Sequence, residues 1–470
     1  MIRVAFLQDF WFEFIGPMYI SAVLKREGYM CEMFMEKGEK DLWGSLVRFA
    51  PDIVGFSCSC GGHKWSLEMA QRLKETLKIV TVFGGPYATY YPDAIQNPAV
   101  DIICRGEGEE AMLDLVRRLE KNQDYEDIEN LWIKRNGSIH KNGMRKQIEH
   151  LDDLPLPDRS LYYKYRHLRS SPNKHFITGR GCPYSCTFCN NKAYRSLYRK
   201  TGNEIRRHSV ERVIQDIKGV RDRYGMSSVR FDDEVFTLDK AWASDFLEQY
   251  RKEIHLPFTC LIRADTVNSE IIGKLAEAGC HTAYFGVESG SERLRNEVLH
   301  KNISDAQLVS TAQLLRRHRI RIGTFNMVGI PGETIDDAMM TVRLNQKLKV
   351  GSPWCSILQP YPKTEVADIA RRKGLLSDGF NPDAYSSSYF DSSLIMNPDR
   401  NKLQNLHKFF YLAVRVPSLT FFIKQLIKLP PNVFFNLVFM MSYGYRYMTT
   451  YKLSPWRIIV YLFKFKKHFH

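Results

Sequence analysis

Short apolar runs recur along the first hundred residues, at Val4–Leu7, Ile53–Ser57, Val80–Phe83 and Ile102–Cys104. Stretches of helical period separate them, at Met18–Glu27, Lys64–Leu77 and Glu109–Leu119. Alternation of this kind constrains the fold more than any other feature of the chain. It predicts an α/β domain over residues 1–150, a doubly wound, Rossmann-like parallel sheet with helices on both faces. Such sheets bind ligands at the carboxyl ends of their strands, where this chain has Ser57, Ser59 and Gly84-Gly85-Pro86. Tight turns account for these residues, and so does close backbone approach to a large planar ligand. Spacing alone leaves both readings open.

The segment Leu151–Arg159, LDDLPLPDR, breaks the alternation with prolines and polar residues, and residues 151–169 read as a linker. Six further strand candidates follow, near His175–Thr178, Val229–Phe231, Phe258–Ile262, Thr282–Phe285, Ile322–Met327 and Trp354–Leu358. Consecutive βα units over residues 170–376 predict an open or partial (βα)6 barrel, whose active face collects the loops after the strands. Those loops carry GRGCPYSCTFCN, then Asp232-Asp233-Glu234, Arg263-Ala264-Asp265, Gly286-Val287-Glu288-Ser289 and Gly329-Ile330-Pro331-Gly332-Glu333. Polar or glycine residues thus gather at one end of the expected barrel.

Three of the ten cysteines, Cys182, Cys186 and Cys189, form CxxxCxxC, with Phe188 just before the last. Thiolates at these offsets can converge on one small inorganic body. A structural zinc site would want a fourth ligand, and His208 is the nearest candidate. A cubic iron–sulfur cluster on three cysteines leaves one iron open. The other seven (Cys31, Cys58, Cys60, Cys104, Cys260, Cys280, Cys355) stand singly or in apolar settings and read as buried small hydrophobes.

From about Ser170 to Pro362 the chain resembles the radical S-adenosylmethionine superfamily, whose hallmark is this cysteine spacing after the first barrel strand. The resemblance implies a 4Fe–4S cluster held by Cys182, Cys186 and Cys189, with S-adenosylmethionine chelating the open iron. Reductive cleavage then yields a 5′-deoxyadenosyl radical, and a flavodoxin or ferredoxin is the implied electron donor. It further implies that Asp232, Asp233 and Glu234 lie near the methionine amino group and that Arg263 faces its carboxylate. Glu288 and Ser289 would meet the ribose hydroxyls, and Gly329 and Gly332 would bring backbone against the adenine. A plain turn before the helix beginning at Ile335 also explains those glycines.

Residues 1–160 resemble the cobalamin-binding domain that precedes such barrels, through Ser57–Ser59, Gly84-Gly85-Pro86, Arg105-Gly106-Glu107-Gly108-Glu109 and the LDDLPLPDR segment. Cobalamin is therefore the third implied cofactor, with Ser57, Ser59, Gly84 and Gly85 in its pocket loops. Such domains often supply a histidine to cobalt from the first loop; here that loop reads QDFWFEFIGP and has none. Trp11 or Phe12 could cover that face or belong to the core, and His63, at a helix start, reads as a surface residue.

The net charge of +15 is uneven. Residues 400–470 hold twelve Lys or Arg, seventeen aromatics and no Asp or Glu, leaving +3 for residues 1–399. Basicity confined to a tail argues against general nucleic-acid binding. Residues 377–470 read as a polar connector and a helical, basic and aromatic extension. It either packs on the barrel with its basic residues snorkelling outward, or touches anionic lipid or forms a lid over an apolar or acidic substrate. No run reaches the roughly 18 apolar residues of a membrane span, and MIRVAFLQDF shows no secretion signal. A cytoplasmic location, peripheral to the membrane in the second reading of the tail, is expected.

The leading expectation is methylation of an unactivated carbon, less readily of phosphorus, in a small-molecule or lipid-like substrate. Radical cyclisation, rearrangement or carbon–carbon coupling on the same architecture is the enzymatic rival. A non-catalytic iron–sulfur or zinc protein is the rival from another class.

Overall fold

The structure is a computed structural model that describes residues 1–451 apart from 78, 200–204, 378–380, 387, 389 and 391. The chain divides into two compact units. The first holds Met1–Ser171 with Ala193–Gly225, and the second holds Pro172–Lys192 with the chain from Met226 onward.

In the first unit, strands β1 (Arg3–Gln8), β2 (Met30–Met35), β3 (Ile53–Ser57), β4 (Val80–Gly84) and β5 (Ile102–Cys104) run parallel. Strands β6 (Leu131–Arg135) and β7 (Ser138–Lys141) add an antiparallel edge. The order β2-β1-β3-β4-β5-β6-β7 reverses direction between β1 and β3, which opens a crevice at their carboxyl ends. Residues Val4 to Gln8 are all buried, as a strand covered on both faces requires. The doubly wound expectation holds, and its helices lie at Ile15–Arg26, His63–Leu77 and Glu109–Glu120. The β6–β7 hairpin goes beyond it. Asn136 and Gly137 both take positive φ, 51° and 78°, the turn an Asn-Gly pair between strands favours.

Two motifs acquire structural partners in this unit. Glu107 of the Arg105–Glu109 run is buried and accepts a two-pronged ion pair from Arg206, at 2.6 and 3.1 Å. Its backbone N–H donates to Tyr198 Oη at 2.9 Å. A Cβ on Gly106, at φ +69°, would sit 2.0 Å from that hydroxyl, so only glycine fits. Losing either charge of the Glu107–Arg206 pair would strand the other and cost about 3–5 kcal/mol. The expected linker is likewise tied down. Asp152 accepts from His208 Nδ1 at 2.8 Å, Asp158 from Lys25 and Ser21 at 2.7 Å each, and Arg159 pairs with Asp216 at 2.9 Å.

In the second unit, β8 (Asn173–Phe176) is followed by the two-residue strand β9 (Gly179–Arg180), with β10 (Arg206–Arg207) lying in the first unit. Then come β11 (Ser228–Phe231), β12 (Phe258–Leu261), β13 (Cys280–Glu288), β14 (Arg321–Val328) and β15 (Ser352–Ile357). Six of these form one parallel sheet in simple sequential order, β15-β14-β13-β12-β11-β8. This is the expected open half-barrel. Helix Arg400–Arg415 packs on its β15 edge, with Leu406, Phe409 and Phe410 buried and His407 Nε2 3.2 Å from the Cys355 carbonyl. Residues 452–470 of the basic tail lie outside the described residues.

Gly85 offers a direct test of the first unit. Its φ is +82°, and a Cβ there would lie 2.9 Å from the Cys58 carbonyl oxygen and 3.0 Å from its nitrogen. Gly85→Ala should destabilise this unit by roughly 2 kcal/mol, whereas Gly143→Ala, whose Cβ meets nothing within 4 Å, should be neutral. Chemical denaturation read by circular dichroism separates the two; equal midpoints would contradict the close approach of β3 and β4.

Candidate functional site

The three cysteines lie on the loop that leaves β9. Gly181, at φ +99°, turns the chain into Cys182. The middle of the loop is pinned by Thr187, which is almost wholly buried. Its N–H donates to the Leu299 carbonyl at 3.0 Å, its hydroxyl to the Val298 carbonyl at 2.7 Å, and its own carbonyl accepts from the Val366 N–H at 2.9 Å. Phe188 packs into the apolar cluster around Leu294, Leu299 and Ile330. A second short turn, Cys189 N–H to the Cys186 carbonyl at 3.1 Å, presents the last thiol.

Cys182, Cys186 and Cys189 all line one cavity of about 200 Å³, and no other Cys or His among the described residues lines it. No three His, Cys, Asp or Glu side chains among the described residues are gathered tightly enough for a single metal ion. A zinc site needs donors about 2.3 Å from one point, whereas a cubane wants its thiolates spread around a larger body. Three thiols on one cavity, with no fourth Cys or His among the described lining residues, fit a cluster held by three cysteines with one open position. His208, the candidate fourth zinc ligand, uses Nδ1 on Asp152 and Nε2 on Tyr19 Oη within the first unit. Burial raises the Cys182 thiol and pushes Cys189 to about 11. Metal binding must therefore expel protons from these thiols. The Arg263 guanidinium lies 3.7 Å from Cys186 Sγ.

Arg263 is itself fixed: it stacks over Tyr184 at 3.7 Å, pairs with Asp265 at 2.7 Å and donates to the Lys301 carbonyl. Lys301 in turn reaches Glu288, 2.6 Å away, with both side chains almost fully enclosed. Glu288 holds a positive φ of 60°, a strained conformation for a non-glycine residue. A Cβ on Gly286 would strike its carboxylate at 1.9 Å. The glycine is thus the vacancy into which the Glu288–Lys301 pair folds. Lys301 escaped the sequence reading because it sits thirteen residues beyond Glu288 in an unremarked turn.

The expected site residues separate into two groups. Glu234, Arg263 and Glu288 line the cavity with the cysteines. Asp232 instead bridges His175 and Arg230, at 2.7 and 2.5 Å, and against the opposing effect of burial these two partners hold its carboxyl far below the usual range. Asp233 is buried and accepts from the Thr178 hydroxyl at 2.6 Å and N–H at 3.2 Å, stitching β11 to β8. Ser289 is fully buried, and the Arg295 guanidinium grips its carbonyl at 2.8 Å. Gly329 and Gly332 take positive φ, 83° and 85°. The Gly329 and Ile330 N–H groups already donate to Glu333, at 2.5 and 3.2 Å.

In the first unit Ser57, Ser59, Gly84 and Gly85 are all half-buried at the carboxyl ends of β3 and β4, beside the crevice. Small residues and a required glycine make this a cradle that larger side chains would fill, which fits a broad planar cofactor. Asp9, at the end of β1, is pushed up to about 6 by burial. Trp11 is buried and stacks on His167 at 3.6 Å, as the core reading expected, whereas Phe12 is exposed. His63 corrects the surface reading. It is fully buried, stacks on Tyr87 at 4.1 Å, and its Nδ1 accepts the Gly61 N–H at 3.1 Å. Of the seven remaining cysteines, six are buried and Cys60 is half-buried, all without disulfides.

Glu333 makes the second unit's stability depend on pH. Burial pushes its carboxyl up to about 8, against the pull of the two N–H donors, and its Oε1 has no hydrogen-bond partner. A raised folded value means that the stability it contributes is fully present below about 4.5 and is lost as pH rises through about 8. Glu333→Gln keeps the accepting oxygen but cannot ionise, so its melting temperature should not share the wild type's decline between pH 5 and 9. Parallel pH profiles for the two proteins would contradict a neutral Glu333.

Two family models match the chain: the Radical SAM superfamily over residues 176–344 and the B12 binding domain over residues 12–116. An uncharacterized methyltransferase of Pyrococcus horikoshii, PH0819, is 30% identical over 342 residues, covering 72% of this chain and 73% of that protein. The cytidylyl-2-hydroxyethylphosphonate methyltransferase of Streptomyces wedmorensis is 25% identical over 392 residues, covering 69% and 71%. The solved structure of the cobalamin-dependent S-adenosylmethionine radical enzyme OxsB, with aqua-cobalamin and S-adenosylmethionine bound, matches at a TM-score of 0.68. Its identity is 16%, and the match covers 100% of this chain and 76% of that one; at that identity it shows a shared fold. With both domains matched and a relative this similar over most of its length, the chain belongs to the radical S-adenosylmethionine enzymes that carry a B12-binding domain.

Proposed function

We propose that the protein transfers a methyl group to an unactivated carbon of a small-molecule or lipid-like substrate. The observation that carries this reading is a three-thiol cavity with no fourth Cys or His among the described residues that line it, in one chain with a parallel sheet that has half-buried Ser57, Ser59, Gly84 and Gly85 at the carboxyl ends of its strands. PH0819 and the cytidylyl-2-hydroxyethylphosphonate methyltransferase, which cover 72% and 69% of this chain at 30% and 25% identity, bear methyltransferase names. An anaerobic magnesium-protoporphyrin IX monomethyl ester cyclase of Rubrivivax gelatinosus covers 74% at 24% identity, so the support for methyl transfer over cyclisation is the higher identity of the first two. Bound in these sites, the cluster would supply the electron that cleaves S-adenosylmethionine, and cobalamin would carry the methyl group. The reductant that fits this chemistry is a flavodoxin or ferredoxin.

The chain's own residues bind and orient. Cys182, Cys186 and Cys189 hold the cluster. Glu234 accepts hydrogen bonds from the methionine ammonium, and Arg263 and Lys301 present positive charge to its carboxylate. Glu288, steadied by Lys301, accepts from the ribose hydroxyls. In the Gly329–Glu333 turn, two of the N–H groups are already taken by Glu333 and are not free donors to an adenine. Asp232 and Asp233 act as positioning residues, holding β8 and β11 in register beneath the cysteine loop.

Cobalt should receive no imidazole from the protein. The first loop has no histidine, the His63 ring is enclosed against Tyr87, and His167 Nε2 lies 3.0 Å from the Trp11 carbonyl. Purified protein should therefore take up about one equivalent of hydroxocobalamin. The paramagnetic resonance spectrum of the reduced cobalt should lack nitrogen hyperfine splitting, and turnover should release S-adenosylhomocysteine together with 5′-deoxyadenosine. Failure to bind cobalamin would remove the methyl-transfer reading. A nitrogen splitting would reject the ligand-free cobalt; its loss in His63→Ala or His167→Ala would assign it to the protein, and its persistence in both to the cofactor's own base.

A further inference from the structure

We infer that the C-terminal region is a docking surface for an anionic lipid bilayer. Of the eighteen exposed large hydrophobic side chains among the described residues, eleven lie between Val416 and Tyr445. Helix Thr420–Leu426 buries Ile423 but leaves Phe421 67% exposed and Phe422 62% exposed. The turn that follows ends in Val433, 82% exposed. Along helix Val433–Tyr451, Phe435, Phe439 and Ser442 face the protein, while Phe434, Leu437, Met441 and Tyr445 form an outward stripe at helical spacing. A helix apolar on both faces wants a second apolar neighbour. An exposed patch of this extent marks a contact surface.

Charge decides which neighbour. Arg415, Lys424 and Lys428 are exposed among these apolar side chains, and residues 400–470 contain no Asp or Glu. A second copy of the chain docking through the same patch would set these cations against their own symmetry mates. Residues 452–470 add five more Lys or Arg and no acid, so folding them over the patch would repeat the mismatch. Anionic lipid supplies both what the aromatic stripe and what the cations lack. No helix among the described residues is long and apolar enough to cross a membrane. The surface therefore lies in the interface, with Phe421, Phe422 and Phe434 entering the acyl boundary and Lys424 and Lys428 at the headgroups. The inference does not depend on methyl transfer.

The test is sedimentation of the full-length protein with phosphatidylcholine vesicles, with and without about 30% phosphatidylglycerol, at low and raised salt. Binding should require the anionic lipid and weaken with salt. Phe421→Ser with Phe422→Ser, and separately Lys424→Glu with Lys428→Glu, should each lower partitioning by roughly tenfold or more. All four side chains are exposed, so melting temperature and cobalamin uptake should be unchanged, which sets loss of docking apart from loss of fold. Absence of binding to anionic vesicles, or equal binding by the variants, would overturn the inference. So would a wild-type dimer that the phenylalanine variant converts to monomer, since the patch would then join two copies.

Discussion

The cavity depends on one loop being held before anything binds to it. Thr187 spends its N–H, hydroxyl and carbonyl on Leu299, Val298 and Val366, so the thiols on either side inherit a fixed backbone. The turn that receives two of these bonds continues into Lys301, whose carbonyl holds Arg263 and whose ammonium holds Glu288. Beneath it the fully buried Arg295 guanidinium binds the carbonyls of Ser289 and Ile303, with Asp305 2.5 Å away as counter-ion. Residues 294–303 are therefore a frame shared by the cysteine loop and the charged wall. Preorganisation of this kind lets a cofactor bind without first ordering the loops around it.

The first unit solves a different problem, which is how to keep a crevice open. Small residues line the ends of β3 and β4, and Gly85 lets their loops cross at backbone contact. Rigidity comes from outside the sheet, through the Glu107–Arg206 pair and the carboxylates of residues 151–158. These residues read in the sequence as markers of a family. In the structure they are clamps that fasten segments 151–169 and 193–225 to the sheet's own domain.

What was legible followed from periodicity and local spacing. Parallel strands buried on both faces print as apolar runs, and three thiols within eight residues print as a motif, so both architectures and the cluster loop could be read directly. β2 went unread because MCEMFM follows a helix closely and resembles its continuation. The β6–β7 hairpin went unread although Asn136-Gly137 announced it. Long-range pairings left no local trace. Nothing in the run Asp232-Asp233-Glu234 says that only the third carboxylate reaches the cavity. Nothing near Glu288 says that Lys301 will neutralise it. His63 illustrates the same limit: a polar residue at a helix start reads as exposed until Tyr87, twenty-four residues on, is seen to cover it.

The proposed chemistry turns on Cys182, Cys186 and Cys189 holding a cluster whose fourth iron is open to S-adenosylmethionine. Paramagnetic resonance of the anaerobically reduced protein tests it most directly. Addition of S-adenosylmethionine should shift the cluster's g-values, and the signal itself should vanish when Cys182, Cys186 and Cys189 are all replaced by Ala. A cluster spectrum indifferent to S-adenosylmethionine, or one that survives the triple replacement, would mean that these three thiols do not hold an open-iron cluster.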